Sequence, residues 1–154
     1  MIVIGSDHGD ALSLKMEIAQ HLLEKGYEVK DVGCFEDASC DYPVFAQEAA
    51  QLVAQGACER GILICSTGIG ISIAANKVRG IRCALCHDVF SAKMTRLHND
   101  SNMLALGAKV VGKGLALEII DAWLAGGFDG GERHCRRVGQ IARIEDGEDI
   151  TGGI

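Results

Sequence analysis

The sequence predicts an α/β protein: a three-layer α/β/α sandwich with a five-stranded parallel sheet of the Rossmann-like kind and a C-terminal helical arm. Short apolar runs alternate with segments of helical periodicity, which is typical of parallel strands joined by crossover helices. The apolar runs lack the polar alternation of half-exposed strands, so both faces of the sheet should be covered. A chain of 154 residues with 48% apolar residues suits one packed domain, to which we assign residues 1–154.

The first half of the chain has the pattern β-α-β-α-β. Residues 1–4 form an apolar run closed by Gly5 and are expected to be the first strand. A helix should then begin with Asp10 as its N-cap and stop at Gly26. Its apolar residues, spaced by four, three and four positions, are Leu12, Met16, Ala19 and Leu23. The next three elements are a strand, a helix and a strand over residues 27–32, 45–53 and 61–64.

The second half continues the same alternation. The expected elements are a glycine-rich loop with its helix, a strand, a helix, a strand and a helix, over residues 67–78, 81–85, 90–97, 103–106 and 115–124. Residues 126–154 begin with two glycines, carry several arginines and end in a polar, acidic stretch. We expect this last segment to be an appended arm.

Charge and cysteine content argue against several classes of function. Lys and Arg total 15 against 21 Asp and Glu, a net charge of −6, so general electrostatic attachment to nucleic acid or an anionic membrane is not expected. The seven cysteines are odd in number and follow no secretory leader, which favours reduced thiols and a cytoplasmic location. Cys83 and Cys86 form a C-x-x-C pair, but its apolar filling favours buried core thiols over a metal or redox pair.

The strongest chemical signal is the segment ILICSTGIGIS at residues 62–72. A strand runs directly into a glycine-rich loop and a helix, so several backbone N–H groups point at one place and can hold a phosphate, a carboxylate or a developing oxyanion. The segment matches neither the P-loop nor the dinucleotide fingerprint, which disfavours nucleotide binding. Cys65 lies at the strand end beside these amides, where it is a candidate base or nucleophile, or a buried apolar side chain.

Other candidate residues lie at the ends of predicted elements. Asp7 and His8 follow the first strand, so they share a sheet edge with Cys65 if the strands are parallel. Arg133 and Arg137 are four positions apart; on a helix they would lie on one face and either hold a phosphate dianion or form a solvated basic surface. Two further polar groups are Asp41-Tyr42-Pro43, which also reads as a helix cap, and His98-Asn99-Asp100 at a predicted helix end.

Five ordered blocks carry a resemblance over most of the chain. They are GSDHGDALSLK at 5–15, DYPVFA at 41–46, GILICSTGIGISIAANKVRGIRCAL at 61–85, RLHNDSNMLALGAKVVG at 96–112 and GGERHCRRV at 130–138. With these blocks the chain resembles the type B ribose-5-phosphate isomerase family, which also contains galactose-6-phosphate isomerase subunits. The resemblance implies a five-stranded parallel sandwich and aldose–ketose isomerisation of phosphorylated sugars with no metal or other cofactor. It also implies a dimer with active sites between its subunits, so the arm over 126–154 is expected to pack on a partner subunit.

The resemblance also implies roles for individual residues. Cys65 is implied to be the base that moves a proton between C1 and C2, and Ile71 stands where another branch of the family places a glutamate base. His98 is implied to open the furanose ring, with Asn99 beside it. The anion hole for the enediolate is implied to consist of Ser66, Thr67, Gly68 and Gly70, with the Thr67 hydroxyl assisting catalysis. The sugar is implied to contact Asp7, His8 and Tyr42, and its phosphate to contact Lys109, Arg133 and Arg137.

We therefore expect a cytoplasmic isomerase that interconverts ribose 5-phosphate and ribulose 5-phosphate through a cis-enediolate. It should be a homodimer or a dimer of dimers, with no nucleic-acid or membrane partner. Three departures leave the sugar open: Ser66 replaces the usual glycine, Lys109 replaces an arginine of many members, and Glu132 adds negative charge beside the phosphate clamp. The alternatives are an isomerase of another phosphorylated aldose, with four or six carbons, and a non-catalytic phosphosugar-binding module. A thiol-redox protein would need a reactive cysteine pair at short distance.

Overall fold

Five parallel strands form the sheet of the computed structural model, which describes residues 1–152. In chain order they are β1 (Ile2–Ser6), β2 (Val29–Asp31), β3 (Arg60–Cys65), β4 (Cys83–Leu85) and β5 (Met103–Gly107). Across the sheet they lie in the order β2-β1-β3-β5-β4, and every neighbouring pair is parallel. The parallel sheet predicted from the sequence is confirmed.

Six helices within residues 1–152 cover the two faces of this sheet and form the arm. They are α1 (Asp10–Glu24), α2 (Tyr42–Ala54), α3 (Ile69–Ala75), α4 (Val89–Asn99), α5 (Lys113–Ala125) and α6 (Glu132–Glu145). One apolar core lies between the sheet and α1, α4 and α5, and the other lies between the sheet and α2 and α3. This arrangement confirms the three-layer sandwich. None of the helices in the described part has the length and apolar character needed to cross a bilayer.

The central strand β3 shows why its apolar run has no polar alternation. Ile62 and Ile64 point into the core with α1 and α5, whereas Leu63 points into the core with α2 and α3. All three side chains are fully buried. A strand covered on both faces needs apolar side chains at consecutive positions.

The buried face of α1 differs from the predicted one. Met16 and Leu23 are 64% and 55% exposed, so the predicted stripe faces solvent in part. The side chains that face the sheet are Ala11, Leu14, Lys15, Ile18 and Leu22. Lys15 can be buried there because its ammonium donates hydrogen bonds to the Asp31 carboxylate at 2.8 Å and the Cys34 carbonyl at 2.6 Å. The predicted apolar stripe and the buried stripe of α1 are offset by about one position. Lys15, with its two hydrogen bonds, lies on the buried stripe that faces the sheet.

Several element ends also differ from the prediction. Gly9 is the N-cap of α1, and Asp10 lies in the first turn. The strands β2 and β4 have three residues each, shorter than predicted, because each is an edge strand with one neighbour. The helix α3 ends at Ala75 because the Asn76 side chain turns to β4, where it accepts from the Cys83 N–H at 2.8 Å and donates to the Cys83 carbonyl at 2.9 Å.

The C-terminal arm folds back on its own chain. The helix α6 packs on α4, and its end reaches the loop before β4. There the Gly80 N–H donates to the Glu145 carboxylate at 2.9 Å and Arg79 pairs with Asp146. Ile141 and Ile144 of α6 are 45% and 56% exposed, and they line an open groove together with Ile81 and Ala84 of the same chain.

Candidate active site

The order of the strands places a crevice between β1 and β3. The chain passes from β1 through α1 to β2 on one side, and α2 then returns it to β3 on the other side. In open parallel sheets, ligands bind beyond the carboxyl ends of the strands at such a switch point. Asp7 follows β1 at this edge and its N–H donates to the Ile64 carbonyl at 2.9 Å, next to Cys65 at the end of β3. The structure thus places Asp7, His8 and Cys65 at one edge, as parallel strands require.

The Cys65 thiol is buried at this edge. Cys65 is 5% exposed, and its Sγ accepts a hydrogen bond from the Gly68 N–H at 3.1 Å. An amide that donates to sulfur stabilises negative charge on it. The Gly68 amide is therefore directed to the sulfur, whereas the next amide along the chain, that of Ile69, donates to the Thr67 hydroxyl.

Gly68 determines the shape of the loop between β3 and α3. Its φ of +76° lies in the left-handed region, and a Cβ there would lie 2.5 Å from the Leu85 side chain and 2.8 Å from the Leu106 carbonyl carbon. The backbone of the loop thus passes directly over β5, where only glycine fits. This close approach brings the Gly68 N–H to the sulfur of Cys65.

The loop after β5 supports the loop after β3. The Lys109 N–H donates to the Ser66 carbonyl at 3.0 Å, and a Cβ on Gly107 would lie 2.6 Å from the Thr67 carbonyl oxygen. The Thr67 hydroxyl accepts from the Ile69 N–H at 3.2 Å, which leaves its own proton for a ligand. The structure places Ser66, Thr67 and Lys109 at the same edge as Cys65, with the Lys109 ammonium 3.9 Å from the Asp10 carboxylate.

Tyr42 and Gly70 meet beside this loop. Tyr42 is the first residue of α2, after Asp41 as N-cap, and a Cβ on Gly70 would lie 2.5 Å from its hydroxyl oxygen. A larger residue at position 70 would push the phenol away. The sequence separates these two residues widely, and the packing of α2 against α3 brings them together.

Asp7, His8 and Cys40 form a compact polar cluster at the carboxyl end of β1. The His8 Nδ1 lies 2.6 Å from the Asp7 Oδ1, and the Cys40 thiol donates to the same oxygen at 3.6 Å. Burial, the neighbouring Cys34 thiol and the Asp7 carboxylate raise the pKa of Cys40 to about 11. The sequence analysis missed Cys40, although its place directly before Asp41-Tyr42-Pro43 could have suggested a site position. Of the residues described, these three also form a group that could hold a metal ion.

A second polar cluster lies around the start of α6. The His98 ring stacks on the His134 ring with centroids 4.4 Å apart, and the His134 Nδ1 lies 2.8 Å from the Asp129 carboxylate. The hydrogen bond from His134 is the main reason that the pKa of Asp129 is lowered. The Arg133 guanidinium lies 3.3 Å from the His134 Nε2, and Arg137 is exposed one turn further along. His134 and Asp129 were missed by the sequence analysis, although His134 lies between the two arginines that it singled out.

The two clusters lie at opposite edges of the sheet. The helix α4 starts after β4 and runs back antiparallel to the strands, so His98 and Asn99 lie where the strands begin. The Asn99 carbonyl accepts from the Arg82 side chain at 3.0 Å, and Arg82 immediately precedes β4. Cys65 lies where β3 ends. Within a single chain, His98 therefore does not lie beside Cys65.

The family model, the sequence relatives and the solved structures that match this chain all belong to sugar-phosphate isomerases. The family model described as Ribose/Galactose Isomerase matches residues 2–141. Ribose-5-phosphate isomerase B of Escherichia coli is 50% identical over 144 residues, which cover 94% of this chain and 95% of the relative. D-erythrulose-4-phosphate isomerase of Pectobacterium atrosepticum is 45% identical over 133 residues, 84% of this chain and 86% of the relative. The solved ribose-5-phosphate isomerase B of Clostridium thermocellum superimposes with a TM-score of 0.92 at 55% identity, and the match covers 95% and 97% of the two chains.

Proposed function

Because the chain belongs to the ribose/galactose isomerase family, we propose that it interconverts ribose 5-phosphate and ribulose 5-phosphate. The observation that carries this proposal is the Cys65 thiol, buried at the switch-point edge and held by the Gly68 N–H at 3.1 Å. An aldose–ketose isomerisation needs a base that moves a proton between neighbouring carbons and donors for the enediolate oxygens. The loop after β3 supplies both.

In this mechanism Cys65 acts as the base. Its thiolate removes the proton from C2 of the open-chain aldose and returns it to C1, while the proton of the C2 hydroxyl moves to the C1 oxygen. The Gly68 amide stabilises the thiolate between turnovers. Because the sulfur is buried, bulk water has little access to exchange the transferred proton.

The remaining loop amides stabilise the enediolate. We assign this role to the N–H groups of Ser66, Thr67 and Gly70, since the Gly68 N–H points at sulfur. The Thr67 hydroxyl accepts from Ile69 and keeps its proton available for a sugar oxygen. Asp7, His8 and Tyr42 line the same edge and contact the sugar hydroxyls in this proposal.

Ring opening and phosphate binding require residues from a partner subunit. His98, Asn99, Arg133 and Arg137 lie at the opposite edge from Cys65, so a second copy of the chain must present them to complete the site. The His98 ring is backed by His134, which the Asp129 carboxylate orients. This arrangement suits a histidine that gives a proton to the ring oxygen as its bond to C1 breaks, while the C1 hydroxyl loses its proton to become the aldehyde.

Exposed apolar side chains support a homodimer, or a dimer of dimers. At the Cys65 edge, Ile69, Ile73 and Phe90 are 51%, 55% and 71% exposed. On the arm, Ile141 and Ile144 are also exposed. Large apolar side chains that stay this exposed are candidates for burial against a second copy of the chain. The arm over 126–154 contributes to that interface in this proposal.

The cellular setting in this proposal is the cytoplasm, where the reaction is a step of the pentose phosphate pathway. All seven cysteines are unpaired thiols. Such thiols persist in a reducing compartment.

The first experiment tests the chemistry with purified, chelator-treated protein. Cys65→Ala should lower kcat for ribose 5-phosphate about 10²- to 10⁴-fold, the usual contribution of a general base. Cys58→Ala, another buried cysteine, is the matched control and should keep kcat within about twofold of wild type. Equal turnover by wild type and Cys65→Ala would reject the cysteine base. If the wild-type protein does not convert ribose 5-phosphate, this sugar is rejected as the substrate. The remaining functions are isomerisation of another sugar phosphate and non-catalytic binding of a phosphosugar.

The second experiment tests whether two chains share the site. Cys65→Ala and His98→Asn chains carry different affinity tags, are co-expressed, and are purified together as a heterodimer. One of its two sites then combines an intact Cys65 with an intact His98, so activity should be about half that of wild type. The control pairs a wild-type chain with a chain carrying both substitutions, and this heterodimer should be inactive. Reversed results would place both residues in a site within one chain.

A second candidate function is isomerisation of another phosphorylated aldose. The relative named D-erythrulose-4-phosphate isomerase and the galactose in the family description favour testing sugars with four and six carbons. Ser66 adds a side chain next to the thiol, Lys109 lacks the planar fork of arginine, and Glu132 lies beside Arg133. The test compares kcat/KM for ribose 5-phosphate, a four-carbon aldose phosphate and galactose 6-phosphate. A preference of more than about tenfold, or 1.4 kcal/mol, for another sugar would replace ribose 5-phosphate as the substrate.

A further inference from the structure

Three side chains of the types that bind transition metals converge at the carboxyl end of β1. The ligand atoms of Asp7, His8 and Cys40 all lie within 4.8 Å of one another. The His8 Nδ1 and the Cys40 Sγ both approach one oxygen, at 2.6 Å and 3.6 Å from the Asp7 Oδ1. A divalent cation bound among these atoms would displace the thiol proton and ligate the neutral imidazole and the carboxylate.

The distances between the ligand atoms suit a tetrahedral ion. With zinc bonds of about 2.0–2.3 Å, neighbouring ligand atoms lie about 3.4–3.6 Å apart. The Cys40 Sγ is 3.6 Å from the Asp7 oxygen and 3.8 Å from the His8 nitrogen. The contact between Asp7 and His8 is shorter, at 2.6 Å, and would open by less than about 1 Å when the ion replaces the hydrogen bond.

The surroundings of the cluster leave a fourth position for solvent. The His8 side chain is 38% exposed and the Asp7 side chain 15% exposed. Backbone N–H groups hold the ligand side chains in place. The Asp7 carboxylate accepts a hydrogen bond from the His8 N–H at 2.8 Å, and the Cys40 backbone nitrogen lies 3.4 Å from the His8 Nδ1. Three protein ligands of nitrogen, oxygen and sulfur with an open fourth position are characteristic of zinc.

We propose that Asp7, His8 and Cys40 form a binding site for a zinc-class divalent cation that competes with the sugar phosphate. The competition rests on the proposed function, because Asp7 and His8 line the proposed sugar site. The cation is an inhibitor in this proposal and takes no part in the isomerisation. Cys40 is the ligand outside the proposed catalytic and sugar-binding residues, so its removal separates metal binding from turnover.

Binding is tested without turnover by titrating the purified wild-type protein with Co²⁺ and recording the thiolate-to-cobalt charge-transfer absorption. Wild type and Cys135→Ser, the matched exposed-cysteine control, should each bind one Co²⁺ per chain with this band. Cys40→Ser should lose the band and bind at least about tenfold more weakly, because loss of an outer-shell partner already costs that much. A wild type that binds less than one ion per chain would overturn the proposal whether or not the variant folds. An unchanged band in Cys40→Ser would do the same.

Competition is tested with ribose 5-phosphate at free Zn²⁺ concentrations set by a metal buffer. Zn²⁺ should raise the apparent KM of wild type and Cys135→Ser without changing kcat, and EDTA should reverse the rise. The KM of Cys40→Ser should respond at least about tenfold less to the same Zn²⁺. Inhibition of Cys40→Ser equal to that of wild type would place the ion elsewhere. If wild type does not turn over ribose 5-phosphate, the proposed function fails, and the Co²⁺ titration still decides the metal site.

Discussion

Replacing Gly68 by alanine is the sharpest test of how the loop holds the thiol. The residue has a φ of +76°, and the left-handed conformation costs a residue with a Cβ about 1–2 kcal/mol. The new methyl group would also lie 2.8 Å from the Leu106 carbonyl carbon and 3.0 Å from its oxygen, in the backbone of β5. Overpacking against atoms that cannot turn away costs about 1–3 kcal/mol more. Gly68→Ala should therefore lose about 2–5 kcal/mol in the free energy of unfolding.

Gly26→Ala is the matched control for the backbone part of this cost. Its φ is +85° with nothing within 4 Å of the added Cβ, so it should lose only about 1–2 kcal/mol. Both variants are unfolded in urea at one protein concentration, because association contributes to the stability of an oligomer. Gly68→Ala should also lower kcat, whereas Gly26→Ala should not. Equal losses of stability would refute the steric argument, and an unchanged kcat would refute the link between the Gly68 amide and the thiol.

Three further predictions concern groups outside the loop. Burial, and then the charge of Asp88, raises the pKa of Cys86 to about 11. Iodoacetamide at pH 8 should therefore alkylate Cys86 in the native protein at least about 100-fold more slowly than exposed Cys135, as followed by peptide mass mapping. Similar alkylation rates at the two cysteines would contradict the burial of Cys86. Lys15→Met keeps the length of the side chain but removes a buried ammonium with two hydrogen bonds. Urea unfolding should therefore show that the free energy of unfolding falls by about 1–3 kcal/mol. An unchanged free energy of unfolding would mean that these hydrogen bonds are not stabilising. The hydrogen bond from His134 lowers the pKa of Asp129, so its stabilisation is present above the ordinary carboxyl pKa and disappears as pH falls through the lowered one. The stability difference between wild type and Asp129→Asn should therefore shrink below about pH 4, and a difference that does not change with pH would exclude this linkage.

The fold could be predicted because burial on both faces leaves a clear pattern in the chain. The apolar run at Ile62, Leu63 and Ile64, which leads into a glycine-rich loop, predicts a strand covered on both sides, and the structure confirms this arrangement. The face of α1 could not be predicted in the same way. Two apolar stripes compete there, and the buried stripe includes Lys15, whose partners Asp31 and Cys34 are distant in the sequence.

Sequence by itself determined the fold class and the family, because these depend on periodicity and on residues that are neighbours along the chain. Cys65 comes directly before the glycine-rich loop in the chain, so the thiol lies at the strand end beside that loop, and the packing of the loop over β5 then brings the Gly68 N–H to the sulfur. Only the tertiary structure decided which groups meet. Cys40 joins Asp7 and His8 because the segment before α2 passes over the end of β1. His98 lies at the opposite edge from Cys65 because α4 runs antiparallel to the strands, and the direction of a helix and the order of strands are set by packing between distant segments.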